Sequence, residues 1–270
     1  MNDALFDLNG RTVIITGGLG QLGRQFASAL LRHGANVAVF DVAEPGEKYL
    51  ADFADHADRM LFAVVDVTSK DSVIQGLEQV AAKWGAPYGL INNAALDSPP
   101  GAPAEENGPF ETYPEASFDR VMEVNVKGVF LCCQVIGAAM AEAGRGSIIN
   151  ISSTYGVGSP CQDIYEYRRK RGETFFKPVA YSVSKSALLN LTRYLATYWA
   201  EKGVRVNTLT FGGVFNNQDE EFMAEYRKRV PMRRMAGENE YNGAVVYLMS
   251  EAASYMTGSN MVIDGGWTAW

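Results

Sequence analysis

Histidine and cysteine are scarce in this 270-residue chain, and their scarcity removes several kinds of chemistry at once. Only His33 and His56 supply imidazoles, too few for a multi-histidine metal centre and poorly suited to a Ser-His-Asp triad. No metal site is expected. Cys132 and Cys133 are adjacent in an apolar run and Cys161 lies in a polar stretch, a spacing that fits neither a metal cage nor a disulfide framework and suits a reducing compartment. Basic charge is short as well. With 24 Lys and Arg against 31 Asp and Glu the net charge is −7, the wrong sign for a nucleic-acid surface. No run approaches the ~18 apolar residues of a membrane span, and Met1 to Arg11 has no apolar core of a signal peptide. A soluble, cytoplasmic protein with a small-molecule partner is expected, with neither nucleic acid nor membrane. No Pro/Gly/Ser linker and no internal repeat divides the chain.

What is present is an alternation of short β-branched runs with helical patterns. Residues 12–16, 36–40, 61–65, 89–92, 147–151, 204–207 and 261–263 read as buried parallel strands. Leu22, Phe26 and Leu30, then Val73, Leu77, Val80 and Trp84, repeat at helical spacing, and longer amphipathic segments run from Phe118 to Ala143 and from Val179 to Glu201. Strand, crossover helix and strand, repeated, predict an α/β fold: one doubly wound parallel sheet over residues 1–270 with helices on both faces. Two stretches, 97–114 and 157–178, interrupt the rhythm as long loops, and long loops in compact domains tend to be functional. Residues 218–230 read as a lid helix with Met223, Tyr226 and Val230 inward.

The first strand runs into Thr16-Gly17-Gly18-Leu19-Gly20-Gln21-Leu22-Gly23 and then a helix. Gly18, Gly20 and Gly23 match G-x-G-x-x-G in the strand-turn-helix setting that this motif needs, where glycines let the backbone approach a pyrophosphate and the helix N-terminus offers N–H donors. Asp41 ends the second strand, where a carboxylate accepts hydrogen bonds from an adenosine ribose and repels a 2′-phosphate. With no Arg or Lys in Asp41-Val42-Ala43, NAD is favoured over NADP. Asp66 at the third strand's end reads equally as an adenine contact or as a cap for the helix that follows.

Tyr181-Ser182-Val183-Ser184-Lys185 puts a phenol and an ammonium one helical turn apart, on one face. A nearby cation favours phenolate and lowers a pKa that is about 10 in water, which suits an acid/base group near neutral pH. Taken alone, the pair reads as readily as packing beside a solvated lysine.

The ordered set of motifs resembles the short-chain dehydrogenase/reductase family over nearly the whole length, with its Rossmann fold. The glycine loop, Asn92-Asn93-Ala94-Ala95, Asn125 in Asn125-Val126-Lys127-Gly128, Ser153, Tyr181 with Lys185, Gly212-Gly213-Val214 and Ile263-Asp264-Gly265-Gly266 carry the resemblance. It implies that Tyr181 exchanges a proton with a substrate oxygen while hydride moves to or from nicotinamide, that Lys185 holds the nicotinamide ribose and lowers the Tyr181 pKa, that Ser153 hydrogen-bonds the reacting oxygen, and that Asn125 anchors a relay water. It implies that the cofactor meets Gly17, Gly18, Gly20, Gln21, Leu22, Gly23, Asp41, Asp66, Val67, Asn92, Ala94, Tyr181, Lys185, Gly212, Val214 and Asn216. Family members are commonly dimers or tetramers built on the two long helices, so a homotetramer or homodimer is expected.

The chain also departs from the family pattern. The middle glycine falls one position early, with Gln21 where the usual loop has glycine, which resembles an extended branch of sugar-nucleotide epimerases and dehydratases, although little chain follows Gly213 for that branch's larger C-terminal domain. Ala95 and Phe211 replace a family glycine and proline. Ser153 and Tyr181 lie 28 positions apart, farther than usual. The segment between them carries Tyr155, Tyr165, Tyr167, Phe175, Phe176 and Arg168-Arg169-Lys170-Arg171. It is expected to wall the substrate site, with Ser153, Tyr155, Tyr165, Arg168, Arg169 and Gly213 as substrate contacts, aromatics facing a ring and cations an acidic or phosphorylated group; a solvated charge run is the alternative for the arginines. Together with Asn216-Asn217-Gln218 this resembles members of sugar or nucleotide-sugar metabolism. An NAD-dependent oxidoreductase acting on a secondary alcohol or ketone of a sugar-like substrate is the leading expectation. An extended-type epimerase or dehydratase, or a non-catalytic nucleotide-binding scaffold, remains open, as does the place of Trp267 and Trp270 in the pocket or an oligomer interface.

Overall fold

The computed structural model of the chain describes residues 4–97 and 104–270. Seven parallel strands, β1 (Thr12–Thr16), β2 (Asn36–Asp41), β3 (Met60–Val64), β4 (Gly89–Asn92), β5 (Gly146–Ser153), β6 (Val204–Phe211) and β7 (Asn260–Ile263), lie in the order β3-β2-β1-β4-β5-β6-β7. The order reverses between β1 and β4, and this topological switch opens a crevice at the carboxyl ends of the strands. Because side chains alternate along a strand, Val13 and Ile15 of β1 enter one core and Ile14 the other. Helices Gln21–Arg32 and Asn242–Met249 cover the first face; Lys70–Trp84, Glu115–Glu142 and Val179–Trp199 cover the second. Strands buried on both faces must be apolar throughout, which is why they read as β-branched runs without polar alternation.

Helix Glu115–Glu142 is long and apolar enough to cross a membrane, with a mean hydropathy of 1.6. Its apolar stripe is instead spent on the sheet: Val129, Cys132, Cys133, Ile136 and Met140 are buried in the second core. Two π-helical stretches, Glu123–Gly128 and Cys133–Gly137, interrupt it, and Asn125 sits in the first. Such widened turns recur where a helix must turn a particular side chain toward a site.

Several boundaries differ from the sequence reading. The helix expected from Phe118 starts at Glu115, because Pro114 fits the position ahead of the first turn. Strand β6 continues to Phe211 and β5 to Ser153, where the buried hydroxyls of Ser152 and Thr208 find partners on helix Val179–Trp199. Segment 157–178 is a 3-10 turn, Gln162–Tyr165, followed by a short helix, Glu166–Lys170. Of segment 97–114, residues 98–103 lie outside the described residues; after them, buried Glu106 accepts hydrogen bonds from Ser117 Oγ (2.8 Å) and Arg120 (2.7 Å). The expected lid helix is Glu220–Arg229, capped by Asp219, whose carboxylate accepts from Phe222 N at 2.7 Å.

Candidate active site

The glycine loop leaves β1 under tight constraints. Gly17 has φ +61°, and a Cβ there would lie 2.8 Å from Ala94 Cα; one on Gly23 would lie 2.5 Å from Gly17 O. Only glycine lets the loop, the β4 exit and the first turn of helix Gln21–Arg32 come this close. That helix has no side-chain cap at Gly20, so its first N–H groups are left for an anion, aided by the positive end of the helix dipole. Asp41 Oδ2 accepts from Leu19 N at 3.1 Å, which fixes the carboxylate beside the loop. An uncapped helix start, a glycine-rich loop and a carboxylate held beside it fit a nicotinamide dinucleotide.

Beyond the loop, a cavity of about 490 Å³ runs over the ends of β4, β5 and β6. Leu22, Asn93, Ser153, Tyr181, Lys185 and Gly212 to Val214 line its inner part. Ser153 ends β5 and caps the next turn, accepting from Tyr155 N at 3.2 Å. It faces the same cavity as Tyr181 and lowers the pKa of that phenol, so the two groups meet despite the 28 positions between them. Ser152, by contrast, donates to Lys185 O at 2.9 Å and is structural. Lys185 is 3% exposed and donates from Nζ to Ile151 O at 2.9 Å, with Nζ 5.8 Å from the Tyr181 ring centre.

The electrostatics correct one expectation. The Tyr181 pKa is raised, first by burial and then by the Asp97 carboxylate, with the Ser153 hydrogen bond pulling the other way. Burial acts on the Lys185 ammonium too, bringing its pKa down to about 8, and its Nζ donates to Ile151 O. Tyr181 therefore holds its proton firmly.

A family model described as enoyl-(acyl carrier protein) reductase matches residues 20–268. The D-arabinitol 2-dehydrogenase (ribulose-forming) of Scheffersomyces stipitis is 33% identical over 291 residues, covering 98% of this chain and 96% of that protein. A short-chain dehydrogenase of Leptospira borgpetersenii, solved with bound NAD+, has a TM-score of 0.85 at 30% identity and covers 99% of this chain and 96% of that one. This chain belongs to the short-chain dehydrogenase/reductase family. As such it is an oxidoreductase acting on CH–OH groups. A gluconate 5-dehydrogenase of Burkholderia cenocepacia, solved with NADP and tartrate, shares the fold with a TM-score of 0.83 at 26% identity, covering 99% and 98% of the two chains.

Within this short-chain dehydrogenase/reductase the side chains of several expected site residues are engaged inside the protein. Asn92 turns into the core, where Nδ2 donates to Asn150 Oδ1 at 2.8 Å; its neighbour Asn93 reaches the loop instead, donating to Gly17 O at 2.9 Å. Asn125 is fully buried and clamps Leu96, accepting from its N at 2.7 Å and donating to its O at 2.9 Å and to Ser184 Oγ at 3.0 Å. It is a positioning group, not a lining one. Asp66 is exposed and accepts from Thr68 N and Oγ1, while Ser69 caps the helix. Val67 buries its side chain against Gly128. Gln21 bridges to Phe215 O at 3.1 Å, and exposed Asn216 bonds through its N–H to Gln218 Oε1. Arg169 braces the inserted segment through Phe175 O, Gln162 O and Glu166, away from the cavity, because a buried turn leaves carbonyls that need donors.

Tyr155, Tyr165, Arg168 and Gly213 do line the cavity, as does Trp267, whereas Trp270 is exposed with Nε1 donating to Arg229 O at 3.2 Å. The sequence reading did not single out Asn93, Asp97 or Lys177, which also line it. Lys177 Nζ lies 2.5 Å from Asp97 Oδ1 and 5.0 Å from the Tyr181 ring centre. Its spacing of one turn ahead of Tyr181 was a usable signal, masked by Pro178, which starts the helix after it.

Proposed function

We propose that the protein is an NAD-preferring dehydrogenase that interconverts a secondary alcohol and a ketone on a small polyhydroxylated substrate. The observation that carries this is the convergence of Ser153, Tyr181 and Lys185 on one cavity beside the glycine loop. Bound there, the dinucleotide supplies the hydride acceptor or donor. In oxidation the substrate C–H gives up hydride, the O–H bond breaks, C=O forms, and Tyr181 Oη takes the proton; in reduction it returns it. Ser153, on the same cavity as the phenol, orients the reacting oxygen. Lys185 holds the nicotinamide ribose and, when charged, stabilises the phenolate that Tyr181 must become before accepting a proton.

The polyol character is supported by the D-arabinitol dehydrogenase and by the gluconate dehydrogenase with tartrate among the relatives. NAD preference rests on Asp41, whose carboxylate is held at the loop by Leu19 N. A cytoplasmic setting suits the three free cysteines. We extend the reading to a homodimer or homotetramer through the two long helices, where Phe130, Tyr194 and Tyr198 are exposed. NADH absorbance in the presence of NAD and a panel of polyols, sugars and sugar acids tests the activity; no turnover with any of them would refute it, as NADP outperforming NAD would refute the cofactor preference. A monomer by light scattering would refute the assembly.

A further inference from the structure

Five aromatic rings from four parts of the chain close around the outer cavity. Tyr155 follows β5, Tyr165 belongs to the inserted segment, Phe222 and Tyr226 to helix Glu220–Arg229, and Trp267 follows β7. Ring centres step from Tyr155 to Trp267 at 6.2 Å, Trp267 to Tyr226 at 5.0 Å, Tyr226 to Phe222 at 5.9 Å and Phe222 to Tyr165 at 5.7 Å. Tyr165 and Tyr155, close enough to shift each other's pKa, face the remaining gap. Tyr226 Oη accepts from Gly213 N at 2.8 Å. With the Tyr226 oxygen engaged and Phe222 carrying no polar group, most of the wall offered to a ligand is ring carbon.

The cations at this wall are matched by carboxylates. Lys177, with 11% of its side chain exposed, pairs with Asp97. Arg168 pairs with Glu173 at 2.7 Å and lies 4.2 Å over the Phe175 ring. Asp219 accepts from Tyr167 Oη at 2.9 Å. A substrate carboxylate would have to displace one of these partners and lose its own water, an exchange that gains little.

We infer that the substrate is an uncharged polyol in ring form, a pyranose or cyclitol, whose C–H face lies on the wall of Tyr155, Tyr165, Phe222, Tyr226 and Trp267. This deepens the dehydrogenase reading and rests on it. A chair presents several C–H bonds on one face, and their partial positive charge suits the negative face of an aromatic ring. An open-chain polyol offers no such continuous face and must freeze several torsions to bind. The sequence expectation of an acidic group is thereby replaced by a neutral one.

The test gives the full-length protein NAD with myo-inositol, D-glucose, D-glucitol or D-gluconate, following NADH formation and, separately, quenching of tryptophan fluorescence. Ring compounds are expected to exceed the open-chain alcohol and the sugar acid in kcat/KM by tenfold or more. Trp267→Ala should raise KM for rings by about tenfold, the size of a lost aromatic contact, with a smaller change for D-glucitol, and Trp267→Phe should recover most of it. A higher kcat/KM for D-glucitol or D-gluconate, or an equal loss for all substrates in Trp267→Ala, overturns the inference. Quenching by rings without NADH formation keeps the inference and removes the dehydrogenase reading; neither signal with any compound overturns both.

Discussion

Replacing Lys185 by methionine is expected to make the protein more stable at neutral pH while destroying its activity. Lys185 is 3% exposed, and its ammonium is pulled from 10.5 to about 8 by burial, with Asp97 opposing the shift. At ~1.4 kcal/mol per pKa unit, the folded state bears about 3 kcal/mol at pH 7 that the unfolded chain, with its lysine in water, does not. Methionine removes that cost but leaves Ile151 O without its 2.9 Å donor, a loss of about 1–2 kcal/mol. A net gain of about 1–2 kcal/mol remains. The pH dependence carries the sign. Between pH 8 and 10.5 the unfolded chain binds more protons at this position than the native one, so wild-type stability rises with pH there, by up to about 1.4 kcal/mol per unit. Above pH 10 the buried tyrosines reverse the trend: burial raises Tyr49, Tyr165 and Tyr181 above 10, so the native state keeps protons that the unfolded chain releases. Urea unfolding from pH 6 to 10 should therefore show the variant more stable at pH 6–7 and the two curves meeting and crossing between about pH 9 and 10. Parallel curves, or a variant less stable at pH 7, would refute the argument that desolvation dominates at Lys185.

Tyr181→Phe should lower kcat by about 10²-fold or more, the usual loss for an acid/base group, with NAD affinity by fluorescence titration unchanged; wild-type turnover would remove Tyr181 from the chemistry. Asp41→Ala should narrow the ratio of kcat/KM for NAD over NADP by about tenfold, as one charge-assisted hydrogen bond and one repulsion are lost; an unaltered ratio would shift the preference elsewhere. Asn125→Ala strips Leu96 N, Leu96 O and Ser184 Oγ of their partner, which costs about 2–4 kcal/mol and should lower Tm by about 5–10 °C. An unchanged melting curve would show that Leu96 needs no clamp.

How far the sequence could be read follows from what each pattern depends on. Strands such as Thr12–Thr16 are legible because burial on both faces demands apolar β-branched residues in an unbroken run. The glycine loop is legible because much of its constraint is local: a Cβ on Gly23 would meet Gly17 and Gly18, and Gly17 needs its positive φ, whereas the approach of Gly17 to Ala94 is not visible in the sequence. Asn92 and Asn93 could not be told apart, since a one-residue difference in a strand selects opposite faces, and only the pairing of Asn92 with Asn150 decides which enters the core. Asn125 is legible as a buried amide of importance, but its side-chain partners Leu96 and Ser184 are not, because they are distant in sequence. The Tyr181 pKa was misread for a related reason. A lysine one turn away is visible in the sequence, but the burial of both groups and the nearby Asp97 are not. Helix Asn242–Met249 escaped notice because it packs with little helical periodicity, most of its residues being apolar.

The inserted segment tolerates its length because the groups on either side of it are fastened independently of it. Ser152 Oγ donates to Lys185 O at 2.9 Å, Lys185 Nζ donates to Ile151 O at 2.9 Å, and Ser186 Oγ donates to Gly156 O at 2.8 Å. These three bonds stitch the exit of β5 to the first turns of helix Val179–Trp199. At Gly156 the two are so close that a Cβ would stand 2.7 Å from the Lys185 carbonyl carbon. Since the entropy of closing a loop grows only slowly with its length, adding residues between Ser153 and Tyr181 costs little once both ends are pinned. The added chain is then held from outside, by Tyr167 on Asp219, Arg171 on Glu221 and Arg229 on Cys161. Proton-transfer geometry and substrate wall are thus carried by different contacts, and the wall can change its aromatic content without moving Ser153 away from Tyr181.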